Sequence, residues 1–385
     1  MIDVFEGHDG WLFHGQGSNR WLDYLSGERS MSDSTVCDWI HTLSCFQGIA
    51  QERAADLLVW IAPEKHTVLG ALFPVGANNR SNPFGKHLED NLRARGVSVL
   101  DNSSLLVEGA TGAFHSKTDS HLNARGVVHV YGSILKAFGI GTAEILPSGY
   151  KIASAESFGD LGGKVVPPRS SPTAAFSSFE HQVEVSVQVP VRNLGRVVLS
   201  QCPSAPVPDK LLLVGNSFSS GELFDLLSRT FREVLFVFFP APDAHILHEF
   251  NPRYVLFQTN ERFISRGPIS LGGSSFRAVG LAKMLGAEGS RGSQIAGLVP
   301  AYPDAVIANS LFQAAAVINE ATLIELIIDY ADRISAEEAC VFAAILERLS
   351  LFRMGDRVCA RVGASLADAN RVADYILLSN ALRNH

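Results

Sequence analysis

Short apolar runs alternate with amphipathic stretches through the first two thirds of the chain. Unbroken apolar runs are typical of strands that are buried on both faces of a parallel sheet, and apolar residues at helical spacing predict helices. The runs that predict strands cover residues 56–61, 97–100, 211–214, 233–239 and 254–258. The stretches that predict helices cover residues 32–53, 82–95, 124–138 and 222–228. Their alternation predicts an α/β fold with a parallel, doubly wound sheet.

The pattern changes in two later segments. Residues 142–206 are rich in Ser, Gly, Pro and Val and alternate apolar with polar residues over 181–187, which predicts a β-rich insertion or an extension of the sheet. Residues 271–300 contain many glycines, as is typical of a linker, and residues 301–385 have helical spacing with few Gly or Pro. We therefore expect one α/β domain over residues 1–270, a linker, and an all-helical C-terminal domain. The helical domain is expected to serve packing, self-association or the binding of a protein partner.

Composition excludes several classes of function. The chain has 385 residues, of which 46 % are hydrophobic, and this is ample for a large core. A formal charge of −7 without any Lys/Arg cluster argues against a general nucleic-acid-binding protein. The five cysteines are scattered and lack C-x-x-C spacing, so they predict reduced thiols. We expect no disulfides and no metal site.

The N-terminus bears on location. It shows no basic region followed by an apolar run, and no apolar stretch of the chain approaches the length of a membrane span. As written, the sequence predicts a cytoplasmic protein without a membrane span.

A small-residue turn over residues 215–221 separates a predicted strand from a predicted helix. This order places Ser217 at the carboxyl end of a central strand, where open α/β sheets bind their ligands. The free N–H groups at the start of the helix suit a developing oxyanion, and the Ser217 N–H and the Asn216 side chain are candidate donors. An ordinary turn in which a serine caps the helix is the alternative interpretation.

A second polar group precedes the helix predicted over residues 124–138. Asp119 and His121 lie two residues apart in the turn before it. Together with Ser217 they supply the residue types of a Ser-His-Asp triad. A simple helix cap, for which Asp and Ser are favoured, is the alternative.

Six short motifs follow one another along the same part of the chain. They are Gly7-His8-Asp9-Gly10-Trp11-Leu12-Phe13, the pair Pro63 and Lys65, Asp119-Ser120-His121-Leu122-Asn123, Gly159-Asp160-Leu161, Gly215-Asn216-Ser217-Phe218, and Glu261-Arg262. In this order they resemble the SGNH-hydrolase-like domain of the bacterial alginate O-acetyltransferases, the AlgJ/AlgX-like family. The resemblance spans residues 5–265 and leaves out the helical tail. The sequence departs from the family at Leu122, where a tryptophan is usual, and at Asn216, where an aspartate is usual.

The resemblance implies an SGNH-hydrolase-like fold and an O-acetyltransferase. Ser217 would be the nucleophile, His121 the base and Asp119 its partner, with Asn216 and Asn123 in the oxyanion or substrate-binding set. The reaction would pass through an acyl-serine to a hydroxyl of a carbohydrate acceptor. We expect no tightly bound cofactor, and the acetyl donor would be acetyl-CoA or a group delivered by a partner. The best-known relatives work in the periplasm.

For three further residues, and for the function of the chain, the sequence allows more than one interpretation. Lys65 and Arg262, at predicted strand ends, can contact a donor or a glycan, or form ordinary ion pairs. Trp11 can stack on a sugar ring or belong to the core. A carbohydrate acetyl-esterase with the same triad, and a catalytically silent glycan-binding or scaffold protein, remain alternatives to the transferase.

Overall fold

The computed structural model describes residues 4–15, 20–73, 83–141, 150–179, 182–189, 193–265 and 267–268. The strands in this part of the chain are β1 (Val4–Glu6), β2 (Leu12–His14), β3 (Asp56–Ala62), β4 (Lys151–Ser157), β5 (Ser171–Ser178), β6 (Glu184–Val189), β7 (Val197–Gln201), β8 (Val207–Gly215), β9 (Phe231–Phe238) and β10 (Tyr254–Asn260). The α-helices are α1 (Trp21–Ser26), α2 (Asp33–Glu52), α3 (Lys65–Val68), α4 (Pro83–Ala94), α5 (Ser103–Gly109), α6 (Ala124–Ala137), α7 (Gly159–Gly162), α8 (Glu222–Thr230), α9 (Ala244–Phe250) and α10 (Glu261–Ile264).

A six-stranded sheet forms the centre of the fold, in the order β3-β10-β8-β9-β7-β6. The four strands from β3 to β9 are parallel, which confirms the parallel sheet expected from their unbroken apolar runs. Strands β7 and β6 are antiparallel additions at one edge. The central strand β8 therefore has parallel neighbours on both sides, and its carboxyl end lies at the edge where parallel α/β sheets place their ligands.

Helices cover both faces of this sheet. On one face, α5, α6 and α8 bury a cluster that includes Leu58, Leu213 and Phe236. On the other face, α2 packs against β3 and α9, and its Trp39 ring lies 6.2 Å from the Phe257 ring of β10. Burial of successive residues on opposite faces explains why these strands are apolar throughout.

The strand predicted over residues 97–100 is wrong. Val99 forms a single bridge to Val59, with hydrogen bonds from Val59 N to Ser98 O and from Leu100 N to Val59 O. The chain turns into α5 shortly after Leu100, which leaves no length for a longer ladder. Val97 and Leu100 are nevertheless buried, so the sequence pattern indicated burial rather than strand pairing.

The segment predicted as a β-rich insertion serves in two places. Strands β6 and β7 extend the main sheet, whereas β4 and β5 form a separate antiparallel pair. Helix α7 lies in the connection between β4 and β5. Residues 142–149 of this segment, the predicted linker over 271–300 and the predicted helical domain over 301–385 lie outside the described residues.

Helix length and polarity also bear on membranes. Within the part of the chain that the structure describes, no helix combines the length and the apolar character needed to cross a bilayer.

Candidate active site

Ser217 lies in the turn between β8 and α8. The turn requires glycine at position 215, because a Cβ there would overlap Ser219 Oγ and lie 2.8 Å from Gln258 Oε1 of the neighbouring strand β10. Asn216 fixes the next position: its backbone N–H donates to Gln258 Oε1 at 3.0 Å. Its side-chain oxygen accepts the Phe218 N–H at 3.0 Å, which closes the turn. Ser217 is thereby held at the carboxyl end of the central strand.

Ser217, His121 and Asp119 form a chain of hydrogen bonds. The Ser217 Oγ lies 3.0 Å from His121 Nε2, and His121 Nδ1 lies 2.8 Å from Asp119 Oδ1. Asp119 Oδ1 also accepts the backbone N–H of His121 at 2.8 Å. Because a carboxylate can only accept, it fixes the proton on Nδ1 and leaves Nε2 free to accept the Ser217 proton.

The surroundings of His121 favour its protonated form. Burial alone lowers its pKa, but the hydrogen bond and charge of Asp119 and the charge of Asp160 outweigh burial and raise the pKa above the usual histidine value. A base of this kind holds the proton that it takes from a serine more readily than a free imidazole does.

Asp160 lies behind this chain and holds the turn that carries it. Its carboxylate accepts the Ser120 N–H at 2.7 Å and the Ser120 hydroxyl at 2.9 Å. Burial raises the pKa of Asp160, but the hydrogen bond from His14, the charge of His121 and the Ser120 N–H outweigh this and lower it well below the usual range. Asp160 therefore stays ionised and adds negative charge beside His121.

The motif Gly159-Asp160-Leu161 was noted in the sequence, but no role was assigned to Asp160. The structure shows why the motif begins with glycine. Gly159 has a φ of +57°, and a Cβ there would clash with the Thr118 carbonyl oxygen and lie 2.7 Å from Asp119 Cβ. Gly159 thus has a left-handed backbone and lies against the Asp119 turn. In the sequence, this glycine is the signal that marks the position of Asp160.

Lys65 does not reach the site, although it was predicted to contact a donor or a glycan. Its ammonium is buried and donates to four backbone carbonyl oxygens at 2.7–3.1 Å, those of Leu12, Ser116, Lys117 and Asp119. Burial lowers the pKa of Lys65, and the charges of Asp119 and Asp160 oppose this effect. Lys65 thus links the β1–β2 pair to the segment that leads into Asp119, and its role is structural.

Arg262 and Trp11 also lie away from the described cavity. Arg262 Nη1 donates to Glu64 Oε2 at 3.1 Å, which matches the ion-pair alternative. The Trp11 ring lies 4.9 Å from Lys65 Nζ and packs against the apolar cluster around Phe13. Each therefore has a partner within the protein, as in the ion-pair interpretation of Arg262 and the core interpretation of Trp11.

Asn123 and Asn216 use their side chains to hold backbone. The Asn123 oxygen caps α6 by accepting the N–H groups of Arg125 and Gly126, and its Nδ2 donates to Ala113 O at 3.0 Å. Asn216 Nδ2 donates to Asn260 Oδ1 at 2.8 Å. The Ser217 N–H has no hydrogen-bond partner among the described residues, so it is a free donor in the same residue as the hydroxyl.

A cavity of about 480 Å³ opens in front of the Ser217 hydroxyl. Its walls come from the Asp119–Asn123 turn with the start of α6, from the turn before α8, and from the β4–β5 pair. The lining residues are Ser116, Asp119, His121, Leu122, Asn123, Val127, Ala155, Glu156, Ser157, Thr173, Ala174, Ala175, Ser217, Phe218, Gly221 and Glu222. The predicted insertion therefore supplies one wall of the site.

Asp119, His121 and Asp160 also meet the spacing of a metal site, since their ligand atoms all lie within 4.8 Å of one another. These atoms are already engaged: Asp119 and His121 bond each other, and Asp160 binds Ser120. Hydrogen bonds between the three residues and Ser120 account for the cluster.

Comparison with known proteins gives a likeness of fold. No family model and no curated protein matches the sequence. The structure of Bacillus cereus PatB1 with a sulfonyl adduct has a TM-score of 0.51 and 12 % identity over 69 % of this chain and 96 % of PatB1.

Two further solved structures are similar at lower scores. The O-acetyltransferase domain of Pseudomonas putida AlgJ has a TM-score of 0.45 and 16 % identity over 70 % of this chain and 94 % of the domain. Pseudomonas aeruginosa AlgX has a TM-score of 0.45 and 13 % identity over 72 % of this chain and 64 % of AlgX. At such identities the likeness concerns the fold alone: the α/β fold of this chain is similar to that of PatB1.

Proposed function

We propose that the chain is an O-acetyltransferase that moves an acetyl group through an acyl-serine at Ser217 onto a hydroxyl of a bacterial polysaccharide. The observation that supports this most directly is the unbroken chain of hydrogen bonds from Asp119 through His121 to Ser217 at the wall of an open cavity. The motif resemblance supports the same chemistry, because the three residues fall in the family's own motifs.

In the first half-reaction, Ser217 Oγ attacks the carbonyl carbon of the acetyl donor while His121 Nε2 takes the hydroxyl proton. The bond between the carbonyl carbon and the donor's leaving group breaks, and the leaving group receives the proton from His121. Asp119 holds the imidazole in place and stabilises its charged form. Without this base the serine hydroxyl is a weak nucleophile at neutral pH.

The oxyanion of the tetrahedral intermediate needs a donor close to Ser217. The free Ser217 N–H meets this need, since both the Asn216 side chain and the Phe218 N–H are engaged in holding the turn. Loss of one such donor typically slows catalysis about a hundredfold or more. Of the two candidate donors, we therefore assign the oxyanion contact to the Ser217 N–H, and the Asn216 side chain holds the turn.

In the second half-reaction, a sugar hydroxyl loses its proton to His121 and attacks the acetyl-serine. The acetyl group leaves Ser217, whose oxygen recovers the proton. The outcome depends on whether a sugar or water occupies the cavity at this stage. We propose acetyl-CoA or an acetyl group delivered by a protein partner as the donor, without a tightly bound cofactor.

An acetyl-esterase with the same triad is the second candidate. It is favoured by the shortage of aromatic side chains on which a sugar ring could stack. Of the described lining residues, only Phe218 has a phenyl or indole ring, and this ring packs 4.9 Å from the His121 ring. Trp11, predicted as a stacking residue, lies elsewhere. A sugar would therefore be held by polar groups, with water as its competitor.

The test is the intact mass of the protein after brief exposure to p-nitrophenyl acetate. We expect an acetyl adduct on the wild type, no adduct on Ser217→Ala, and a normal adduct on Ser220→Ala, which removes a neighbouring hydroxyl of the same turn. Unlabelled but folded wild type would contradict the proposal. Addition of oligosaccharides to the acetylated protein then separates acetylated sugar, the transferase product, from acetate, the esterase product.

A further inference from the structure

Apart from His121, the titratable side chains of the described cavity lining are all acidic. This lining contains three carboxyl groups, those of Asp119, Glu156 and Glu222, and no Lys or Arg among the residues that the structure describes. Asp119 is paired with His121. Glu156 and Glu222 remain, and we call them the acidic pair.

Glu222 connects two walls of the cavity. It is the first residue of α8, is partly buried, and accepts a hydrogen bond from the Phe176 N–H of β5. Burial raises the pKa of Glu222 to about 7, and the charges of Asp225 and Asp119 add to this while the Phe176 N–H opposes it. No cation among the described residues forms an ion pair with this carboxylate, which is mostly ionised above about pH 7.

Glu156 also lines the cavity, on β4, where it pairs with Pro172 of β5. Its side chain is exposed, and it has no ion-pair partner within the described ranges of the chain.

Three cations near the site are committed elsewhere. Lys65 donates to backbone carbonyl oxygens, and Arg262 pairs with Glu64. Lys164 lies 3.8 Å from Asp160, behind the Asp119 turn. None of the three belongs to the described lining, so none offers a contact to an anionic ligand in the cavity.

We propose that the acidic pair makes the Ser217 cavity selective for sugars without negative charge, neutral or amine-bearing, and against uronates and phosphorylated sugars. A carboxylate on the ligand would be repelled by both members of the pair. In a partly solvated site, each such repulsion changes a rate about fivefold. This inference rests on the proposed function, because it concerns the ligand of the same nucleophile.

The test compares three aryl sulfonyl fluorides that differ mainly in charge: benzenesulfonyl fluoride, 4-(fluorosulfonyl)benzoate and 4-(2-aminoethyl)benzenesulfonyl fluoride. Each reacts by forming a bond from Ser217 Oγ to sulfur while fluoride leaves and His121 takes the proton. Labelling rates are read from intact mass at about pH 8, where Glu222 is ionised and the amine is protonated. Dividing each wild-type rate by the rate of Glu156→Gln/Glu222→Gln cancels the intrinsic reactivity of the probe.

We expect this quotient to be about tenfold or more lower for the benzoate than for the amine, with the neutral probe between them. The difference should shrink in about 1 M salt, where charges are screened beyond about 3 Å. Asp225→Asn removes a carboxylate of the same helix outside the described lining and is the matched control. Its labelling rates, divided by the same double-variant rates, should give quotients near those of the wild type. Glu156→Gln alone, a change at an exposed side chain, shows about half of the effect on a logarithmic scale and covers the case of a misfolded double variant.

Equal quotients for the three probes would overturn the inference while leaving Ser217 an active nucleophile. Absence of any label on a folded wild type would overturn the proposed function, and the inference with it. Acceptors give a second readout: oligogalacturonate and its methyl ester present the same hydroxyls with and without charge. Faster acetylation of the uronate than of the ester would also contradict the inference.

Discussion

The backbone N–H of Asp160 donates to Asp119 Oδ2 at 3.3 Å, across 41 positions of sequence. The carboxylate of Asp160 returns the contact by accepting the N–H and hydroxyl of Ser120. Asp119 therefore uses one oxygen for His121 and the other for the segment between β4 and β5. The orientation of the base thus depends on a residue that does not itself line the cavity.

Replacement of Asp160 by asparagine should disturb His121 without removing any member of the triad. Asn keeps one acceptor for Ser120 but loses the negative charge that raises the pKa of His121. We expect acetylation of Ser217 to slow about tenfold, and the pH at which the rate is half-maximal to fall. The pH profile of labelling measures both. A slower rate with an unmoved pH profile would show a purely structural effect.

Replacement of Asp119 by asparagine should be far more damaging. Asn presents either an amide or a single oxygen to His121 Nδ1, so the tautomer that leaves Nε2 as acceptor is no longer enforced. We expect acylation to fall about 10⁴-fold, the loss typical when a triad aspartate is replaced. Burst kinetics with p-nitrophenyl acetate measure it. A loss below about tenfold would remove Asp119 from the proposed triad.

The pH dependence of the wild type follows from the raised pKa of His121. The base must be neutral to accept the Ser217 proton, so the rate should fall with unit slope as the pH drops through that pKa. Because the pKa is raised, the half-maximal rate should lie above about pH 6.5, the ordinary value for histidine. A midpoint near or below 6.5 would mean that Asp119 and Asp160 do not act on the imidazole in this way.

Local pattern was sufficient to predict Ser217, His121 and Asp119 as candidates. An apolar run that stops at a glycine, followed by small residues and a helix, fixes where a strand ends. A polar turn before an amphipathic helix similarly fixes the start of α6. The sequence could not show that these two turns meet, since they are 96 positions apart; the motif resemblance provided that step.

The roles of the residues around the triad were harder to predict, because they depend on which way each side chain points. Lys65 and Arg262 do lie after strands, but a charged residue at a strand end can face the cavity or turn back to the protein. Four carbonyl oxygens bind Lys65, and Glu64 binds Arg262. Asp160 was passed over for the same reason, since only the folded chain brings it to Ser120.

Lys65 offers a test of its structural task. In Lys65→Met the carbonyl oxygens of Leu12, Ser116, Lys117 and Asp119 lose their shared donor. Buried acceptors without partners are costly, so we expect the free energy of unfolding to fall by about 3 kcal/mol. Chemical denaturation measures it. Lys117→Met, whose ammonium makes one exposed carbonyl contact to Asp9, should change it by less than about 0.5 kcal/mol. Similar losses in both variants would argue against the assigned role.

Position 216 is an asparagine here, where the resembling family has aspartate. Its amide is matched to the side-chain oxygen of Asn260, to which it donates a hydrogen bond. Asn216 Nδ2 donates to Asn260 Oδ1, which also accepts Gln258 Nε2 at 2.9 Å. In Asn216→Asp two oxygens would face each other, and turning the Asn260 amide over would break its bond to Gln258. We expect a loss of about 1–2 kcal/mol in unfolding free energy and slower labelling of Ser217. Asn251→Asp, at an exposed position, should change neither. A fully stable and active Asn216→Asp would show that the turn accepts either residue.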